Sequence, residues 1–160
     1  YRVSLKNWDN KTWLSSKSYI KAFNQFLISE KKLNNKSKIL DIGCGRGNII
    51  GDLSAKFNFI DKPIGIDLLN HKDKNKKFFF KKVGANDFLK KNKTKFDIIL
   101  IKQTIHFFNL QQIPNIIRLC KKSLSLNGKI FIFFMEANNN IPSFILMKKK
   151  LKKSFLKDKK

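Results

Sequence analysis

Two periods of apolar and polar positions run along the chain. Ile20, Phe23, Phe26 and Leu27 recur at spacings of three and four, which predicts a helix over residues 8–27 with Ser16 or Ser18 placed to cap it. Lys38-Ile39-Leu40-Asp41-Ile42 is instead a short apolar run ending in glycines, the pattern of a buried parallel strand entering a tight turn. Residues 48–57 read as a helix, Pro63 to Asp67 as a second strand ending in an acid, and Phe78 to Val83 as a third. Phe96 to Ile101 gives the fourth strand, Gln111 to Leu124 a helix, Asn127-Gly128 a turn, and Lys129 to Phe134 the fifth strand. The lysine- and asparagine-rich stretches 70–77 and 90–95 read as solvated loops.

Strands alternating with helical segments predict a parallel sheet covered on both faces, because each parallel crossover needs an element to bridge it. In such sheets ligands lie beyond the carboxyl ends of the strands, where strand order reverses. At 160 residues and 42% hydrophobic, the chain suits one domain. It contains no apolar run of the roughly 18 residues that a membrane span needs, and Tyr1-Arg2-Val3-Ser4 is no signal peptide, so a cytoplasmic protein without a transmembrane segment is expected. Cys44 and Cys120 have no partner at metal-ligand spacing; reduced thiols and no metal site follow.

The net charge of +24 raises the question of nucleic acid. Of the 35 basic residues only Arg2, Arg46 and Arg118 are arginine. Lysine here accompanies abundant Asn, Ile and Phe, all encoded by AT-rich codons, so genome composition accounts for the charge without a selected partner. Nucleic acid stays possible on charge, but no motif supports it.

The segment Asp41-Ile42-Gly43-Cys44-Gly45-Arg46-Gly47 lies between a strand and a helix, the context of a ligand-cradling glycine turn. A G-x-G-x-x-G dinucleotide fingerprint places its last glycine five positions after its first. Counted from Gly43 that position is Asn48, and from Gly45 it is Ile50, which argues against a nicotinamide cofactor. The segment resembles the first motif of the class I S-adenosylmethionine-dependent methyltransferases, an acid followed by G-x-G-x-G after an apolar strand. The resemblance implies that Gly43, Cys44, Gly45 and Gly47 surround S-adenosyl-L-methionine, and that Asp41 holds its amino group directly or through water. Glycine suits such a loop because a side chain would block close approach to the backbone.

Asp67, 26 residues beyond Asp41, ends the second strand, and its two oxygens have lone pairs enough to accept both hydroxyls of a ribose. Ile64-Gly65-Ile66-Asp67 resembles the family's second motif, which implies that Leu68 packs on adenine. Gly84-Ala85-Asn86-Asp87-Phe88 resembles the third, with Asp87 meeting the adenine amino group and the Phe88 N–H a ring nitrogen; a shift of one residue would substitute Asn86. Lys102-Gln103-Thr104-Ile105-His106-Phe107-Phe108 resembles the fourth motif of small-molecule methyltransferases. It adds Lys102 and Gln103 to the cofactor set and makes His106 a candidate general base, against the plainer reading of a packed or capping histidine. His71, in a lysine-rich loop, is expected to be solvated. Ser125-Leu126-Asn127-Gly128-Lys129 resembles the family's turn before strand five, keeping only Gly128 of its usual pattern.

The resemblance covers about residues 38 to 135. It implies an α/β fold, a Rossmann-like doubly wound parallel sheet of order 3-2-1-4-5, to which the family usually adds a sixth and an antiparallel seventh strand. No residues remain for those two. With no initial Met and an end inside a lysine-rich pattern, the chain reads as a fragment: a flanking helical segment over 1–37 and a C-terminally truncated cofactor-binding core over 38–160, whose fifth strand would be an unpaired edge. Trp8, Trp13 and Tyr19 stand where many family members place a helix that closes over the site, although simple packing explains them as well. Phe144, Met147, Leu151 and Phe155 form one apolar face among lysines, the pattern of a helix packed on the sheet or lying on a membrane or nucleic acid. Methyl transfer to a small organic acceptor is the leading expectation; an RNA methyltransferase and a non-catalytic cofactor- or partner-binding domain are the alternatives.

Overall fold

In the computed structural model, residues 17–134 are described. Helix α1 (Lys17–Glu30) is followed by β1 (Ile39–Ile42), α2 (Asn48–Phe57), β2 (Ile64–Asp67), β3 (Phe79–Lys82), α3 (Ala85–Lys91), β4 (Phe96–Lys102), α4 (Ile113–Lys122) and β5 (Leu124–Phe133). The five strands pair in the order β3-β2-β1-β4-β5, all parallel. This is the expected doubly wound order. It reverses direction at β1, whose neighbours are β2 on one side and β4 on the other.

The central strands are apolar on both faces because both faces are covered. Leu40, Ile42, Ile66, Ile99 and Ile101 pack with Phe88 and Leu89 of α3 and with Ile116, Leu119 and Cys120 of α4. The alternate residues Ile39, Ile98 and Leu100 pack with Phe23 and Leu27 of α1 and Ile50 and Leu53 of α2. Each such fully buried side chain stabilises the fold by about 1.5–3 kcal/mol relative to exposure. Phe23 and Phe26 of α1 meet Phe133 of β5 edge-on at centroid distances of 4.6 and 5.7 Å. Buried Asn24 joins α1 to α2, its Nδ2 donating to Ile49 O at 3.2 Å and Asp52 Oδ2 at 2.8 Å.

Several elements differ from the sequence expectation. Helix α1 runs on to Glu30 and contains Ser18 inside it rather than at its cap; the expected stretch 8–16, with Trp8, Trp13 and Ser16, lies outside the described residues, as does the basic apolar face at 144–155. Helix α3 occupies 85–91, where a strand end and a solvated loop were expected, because Ala85, Phe88 and Leu89 cover the sheet. Helix α4 starts at Ile113 with Pro114 in its first turn, behind a 3-10 turn over Leu110–Gln112 whose Gln111 N–H is capped by Asn109 Oδ1 at 3.1 Å.

The strand β5 begins at Leu124, so the expected Asn127-Gly128 turn lies within it. Leu124 pairs with Phe96 and Lys129 with Ile98, so the intervening residues bulge. Ser125 Oγ donates to Asp97 Oδ1 at 2.8 Å, and a Cβ on Gly128 would stand 2.6 Å from Phe96 O. Gly128 is therefore needed for close approach of two backbones.

The 70–77 loop is not simply solvated. Asn75 N–H donates to Arg46 O at 2.8 Å, and Arg46 Nε donates to Asp73 Oδ2 at 2.8 Å, fastening the loop over the glycine turn. Next to it Phe78 is buried against Gly47, which sits at φ +68° at the head of α2; a Cβ there would overlap the Phe78 ring. Gly47→Ala should therefore destabilise the domain by about 2 kcal/mol or more in urea unfolding. An unchanged midpoint would show that the loop does not depend on this seat.

Candidate cofactor site

Beyond the carboxyl ends of β1, β2 and β4 lies a cavity of about 370 Å³. That size suits a small organic ligand, for which pockets run from roughly 300 to 1,000 Å³. The glycine turn forms one wall: Gly43, Gly45 and Gly47 all have positive φ, at 73°, 54° and 68°. The Gly43 and Cys44 N–H groups donate to Ile66 O at 2.8 and 3.1 Å, tying the turn to β2. Thr104 fits against Gly43, where a Cβ would overlap it, and its Oγ1 donates to Lys102 O at 3.0 Å. Gln103 between them holds a left-handed φ of +53°, a strained conformation for a residue with a side chain, with its N–H donating to Phe133 O at 2.8 Å.

Of the residues singled out in the sequence, Gly43, Cys44, Gly45, Asp67, Leu68, Asp87, Lys102 and Gln103 line the cavity. Asp67 Oδ2 accepts the Gly45 N–H at 2.8 Å and Oδ1 accepts the Leu69 N–H at 2.9 Å. Each oxygen retains a lone pair for an incoming hydroxyl. Leu68 is 54% exposed beside it, an apolar surface at the mouth. Asn86 also lines the cavity, with Oδ1 occupied by Asn115 Nδ2 at 2.8 Å.

Four of the chosen residues do not line it. Gly47 shapes the turn from behind. Phe88 is a correction: α3 begins at Ala85, so the Phe88 N–H donates to Gly84 O at 3.0 Å and its ring is buried in the core, leaving no amide for a ring nitrogen. His106 stands exposed on the 3-10 turn Ile105–Phe107, its ring 4.2 Å from that of Phe107 and outside the cavity wall. Asp41 is 2% exposed in β1, and its Oδ1 is buried without a hydrogen-bond partner. Burial pushes its carboxyl up to about 7, against the opposing pull of Lys102. Burial in turn pushes the Lys102 ammonium down.

Sequence reasoning missed part of the wall. His71 lines the cavity instead of being simply solvated, and Leu69, Val83, Thr104, Phe107, Phe108 and Ile116 add apolar surface from four separate elements. For Leu69, Val83, Thr104, Phe107 and Phe108 the only signal was position after a strand end, and Ile116, inside α4, gave none. Burial, with Asp41 and Asp67 nearby, pushes the Cys44 thiol far above its usual range. Alkylation of Cys44 at pH 8 should therefore run at least about tenfold slower than in the unfolded chain; equal rates would contradict the enclosed thiol. No group of metal-ligating side chains occurs among the described residues.

A doubly wound sheet with a glycine turn, a strand-end acid and a cavity at the switch point places this site in the crevice where α/β sheets of this kind take their ligands. The chain belongs to the family described as the methyltransferase domain, whose model matches residues 15–154. No curated protein matches it. Among solved structures it is similar to a SAM-dependent methyltransferase from Archaeoglobus fulgidus, at 24% identity and a TM-score of 0.60 over 72% of this chain and 51% of that one. It is similar also to the plantazolicin methyltransferase BpumL in complex with a pentazolic desmethylPZN analogue and SAH (21% identity, TM-score 0.66, 93% of this chain, 62% of that one). A third is the plantazolicin methyltransferase BamL with a triazolic analogue and SAH (23% identity, TM-score 0.66, 95% and 60%). The chain thus spans between about half and three fifths of the length of these proteins.

Proposed function

We propose that this domain binds S-adenosyl-L-methionine in the strand-end cavity and serves methyl transfer to a small organic acceptor. The observation that carries the reading is the buried Asp41 oxygen without a partner, next to a glycine turn whose backbone leaves room for a ligand. An unpaired buried carboxylate oxygen costs free energy that a ligand ammonium would recover through a bridging water, since Asp41 itself does not line the cavity. Asp67 would take the two ribose hydroxyls, Leu68 would face adenine, and Asp87, exposed at the cavity, would accept from the adenine amino group. When bound, S-adenosyl-L-methionine would supply an electrophilic methyl group on a sulfonium, for in-line attack by the acceptor at the methyl carbon with S-adenosylhomocysteine as the leaving group. The chain's own task is alignment and exclusion of water.

A deprotonating base is needed only for an acceptor that carries a proton at the reacting atom. His106 remains the candidate for that role, and its exposed position would require an acceptor bound over the 3-10 turn. A small acceptor accords with an apolar wall that includes Phe107, Phe108 and Ile116. The structurally similar BpumL and BamL were solved with desmethylPZN analogues. We extend the core over residues 38–160, with 1–37 as its flanking segment. We assign the protein to the cytoplasm, where Cys44 and Cys120 would stay as the free thiols they are here. No helix among the described residues is long and apolar enough to cross a membrane.

Calorimetric titration with SAH, alongside NAD, tests the reading. Saturable binding of SAH without binding of NAD is expected; NAD binding without SAH binding would replace it with the nicotinamide alternative.

A further inference from the structure

We infer that the outer edge of the sheet, from the 70–77 loop across β3 to α3, is a docking surface for single-stranded nucleic acid. Codon composition accounts for how many lysines the chain carries, but not for where the fold collects them. Residues 70–95 hold ten lysines and two acids, whereas the other 92 described residues hold fourteen basic residues and six acids. These 26 residues around one sheet edge therefore carry as much net charge, +8, as all the other described residues together. Of the two acids, Asp73 is engaged by Arg46 and Asp87 faces the cavity. None of the ten lysines forms an ion pair with a described residue. Lys74 and Lys95 donate from Nζ to neutral oxygens of the chain, and the other eight are exposed.

Shape and an aromatic ring distinguish this belt from a merely solvated charge run. β3 is the outermost strand, and its side chains alternate about the edge. Phe80 packs toward α1 and α2, with Lys74 Nζ 5.2 Å from its centroid. Phe79 lies on the α3 side, where Lys81 Nζ stands 5.5 Å from its centroid and 5.4 Å from that of Phe88. The cations thus wrap both sides of the edge, a shape that suits a flexible linear polyanion better than a flat lipid surface. Phe79 is 53% exposed. A bare ring among cations offers nothing to a phosphate, but it is a stacking face for an unpaired base, with Lys81 beside it for the adjoining phosphate. Lysines on β3 also protect that edge from strand pairing, a role that does not account for those of the loop and of α3. The belt adjoins the cavity: Lys72 follows His71 and Lys82 precedes Val83, both in the wall. A nucleic-acid strand held there passes the cavity mouth.

Fluorescence anisotropy of the full chain with a labelled single-stranded RNA of about twelve nucleotides tests the inference, a length within the roughly 4–16 that one single-strand-binding domain covers. Binding should weaken with salt, log K falling by about 0.7 per phosphate neutralised for each tenfold rise. Lys81→Glu, Lys82→Glu and Lys90→Glu together should weaken it by at least about a hundredfold and reduce that slope. The same change of charge at exposed Lys32, Lys36 and Lys56, outside the belt, should cost less than about threefold. Phe79→Ala should weaken binding roughly fivefold to a hundredfold and leave the salt slope unchanged. A cooperative thermal transition in each variant shows that it is folded. Equal losses from the two triple variants would overturn the inference, since charge would then act without regard to place. Wild-type affinity in Phe79→Ala, tighter binding of the matching duplex, binding of phosphatidylserine vesicles that the RNA cannot displace, or no RNA binding at low salt would overturn it as well. The belt lies outside the proposed cofactor set, so these results stand whether or not SAH binds.

Discussion

Replacing Asp67 with Ala is expected to weaken SAH binding by about 100-fold to 10,000-fold. The carboxylate has two functions. It accepts the Gly45 N–H at 2.8 Å and the Leu69 N–H at 2.9 Å, which sets the glycine turn against the end of β2. Its remaining lone pairs are the acceptors available to two vicinal hydroxyls. Each charge-assisted hydrogen bond is worth roughly 1.5–3 kcal/mol, and two together give that range of affinity. Asp67→Asn separates the functions, since its single carbonyl oxygen can serve only one of the two partners on each side. It should lose about tenfold to a hundredfold, while thermal unfolding stays closer to wild type than for Ala. Calorimetry with each variant checks this. Wild-type affinity in Asp67→Ala would mean that the ligand lies elsewhere.

Asp41→Asn should divide stability from binding. An isolated aspartate titrates near 3.9 or so, whereas burial raises the Asp41 carboxyl to about 7 in the folded chain. The folded state therefore holds this proton more tightly than the unfolded chain does. The stability it contributes is fully present below the unfolded value and is lost as pH rises through about 7, at up to roughly 1.4 kcal/mol per pH unit in between. Asn, always neutral, should remove that slope. Urea unfolding of the ligand-free variant should show it more stable than wild type at pH 8. Binding should move the other way. In wild type SAH should bind more tightly as pH rises through about 7, because the ammonium needs the ionised carboxylate. In Asp41→Asn binding should be weak and flat across the same range. A wild-type stability curve without this slope would show that Asp41 is not the buried acid described here.

These effects concern residues that the chain's pattern had already brought forward, and the reason lies in local geometry. A parallel strand buried on both faces is a continuous apolar run, and a turn that requires three positive φ values declares itself as glycine; both are written in consecutive residues. Asp41 through Gly47 and Asp67 were legible for that reason, as were helix α2 and the strand order implied by the family resemblance. The N–H of Phe88 shows the limit. Whether that amide was free depended on α3 starting at Ala85, and α3 is short, with its helical state fixed by what Phe88 and Leu89 cover rather than by its own periodicity.

What the sequence determined by itself is the local: which segments are buried strands, where the glycine turn lies, and which acid ends the next strand. The tertiary structure decided which strand-end residues share one cavity. It seated Phe78 against Gly47, fastened the 70–77 loop over the turn, brought His71 and Thr104 to the wall and left His106 outside it. It also set buried Asp41 and half-buried Lys102 on one face of neighbouring strands, 61 positions apart in the chain. Periodicity reports the face on which a residue lies, but proximity between distant segments and the loss of water around a charge arise only when the sheet is assembled.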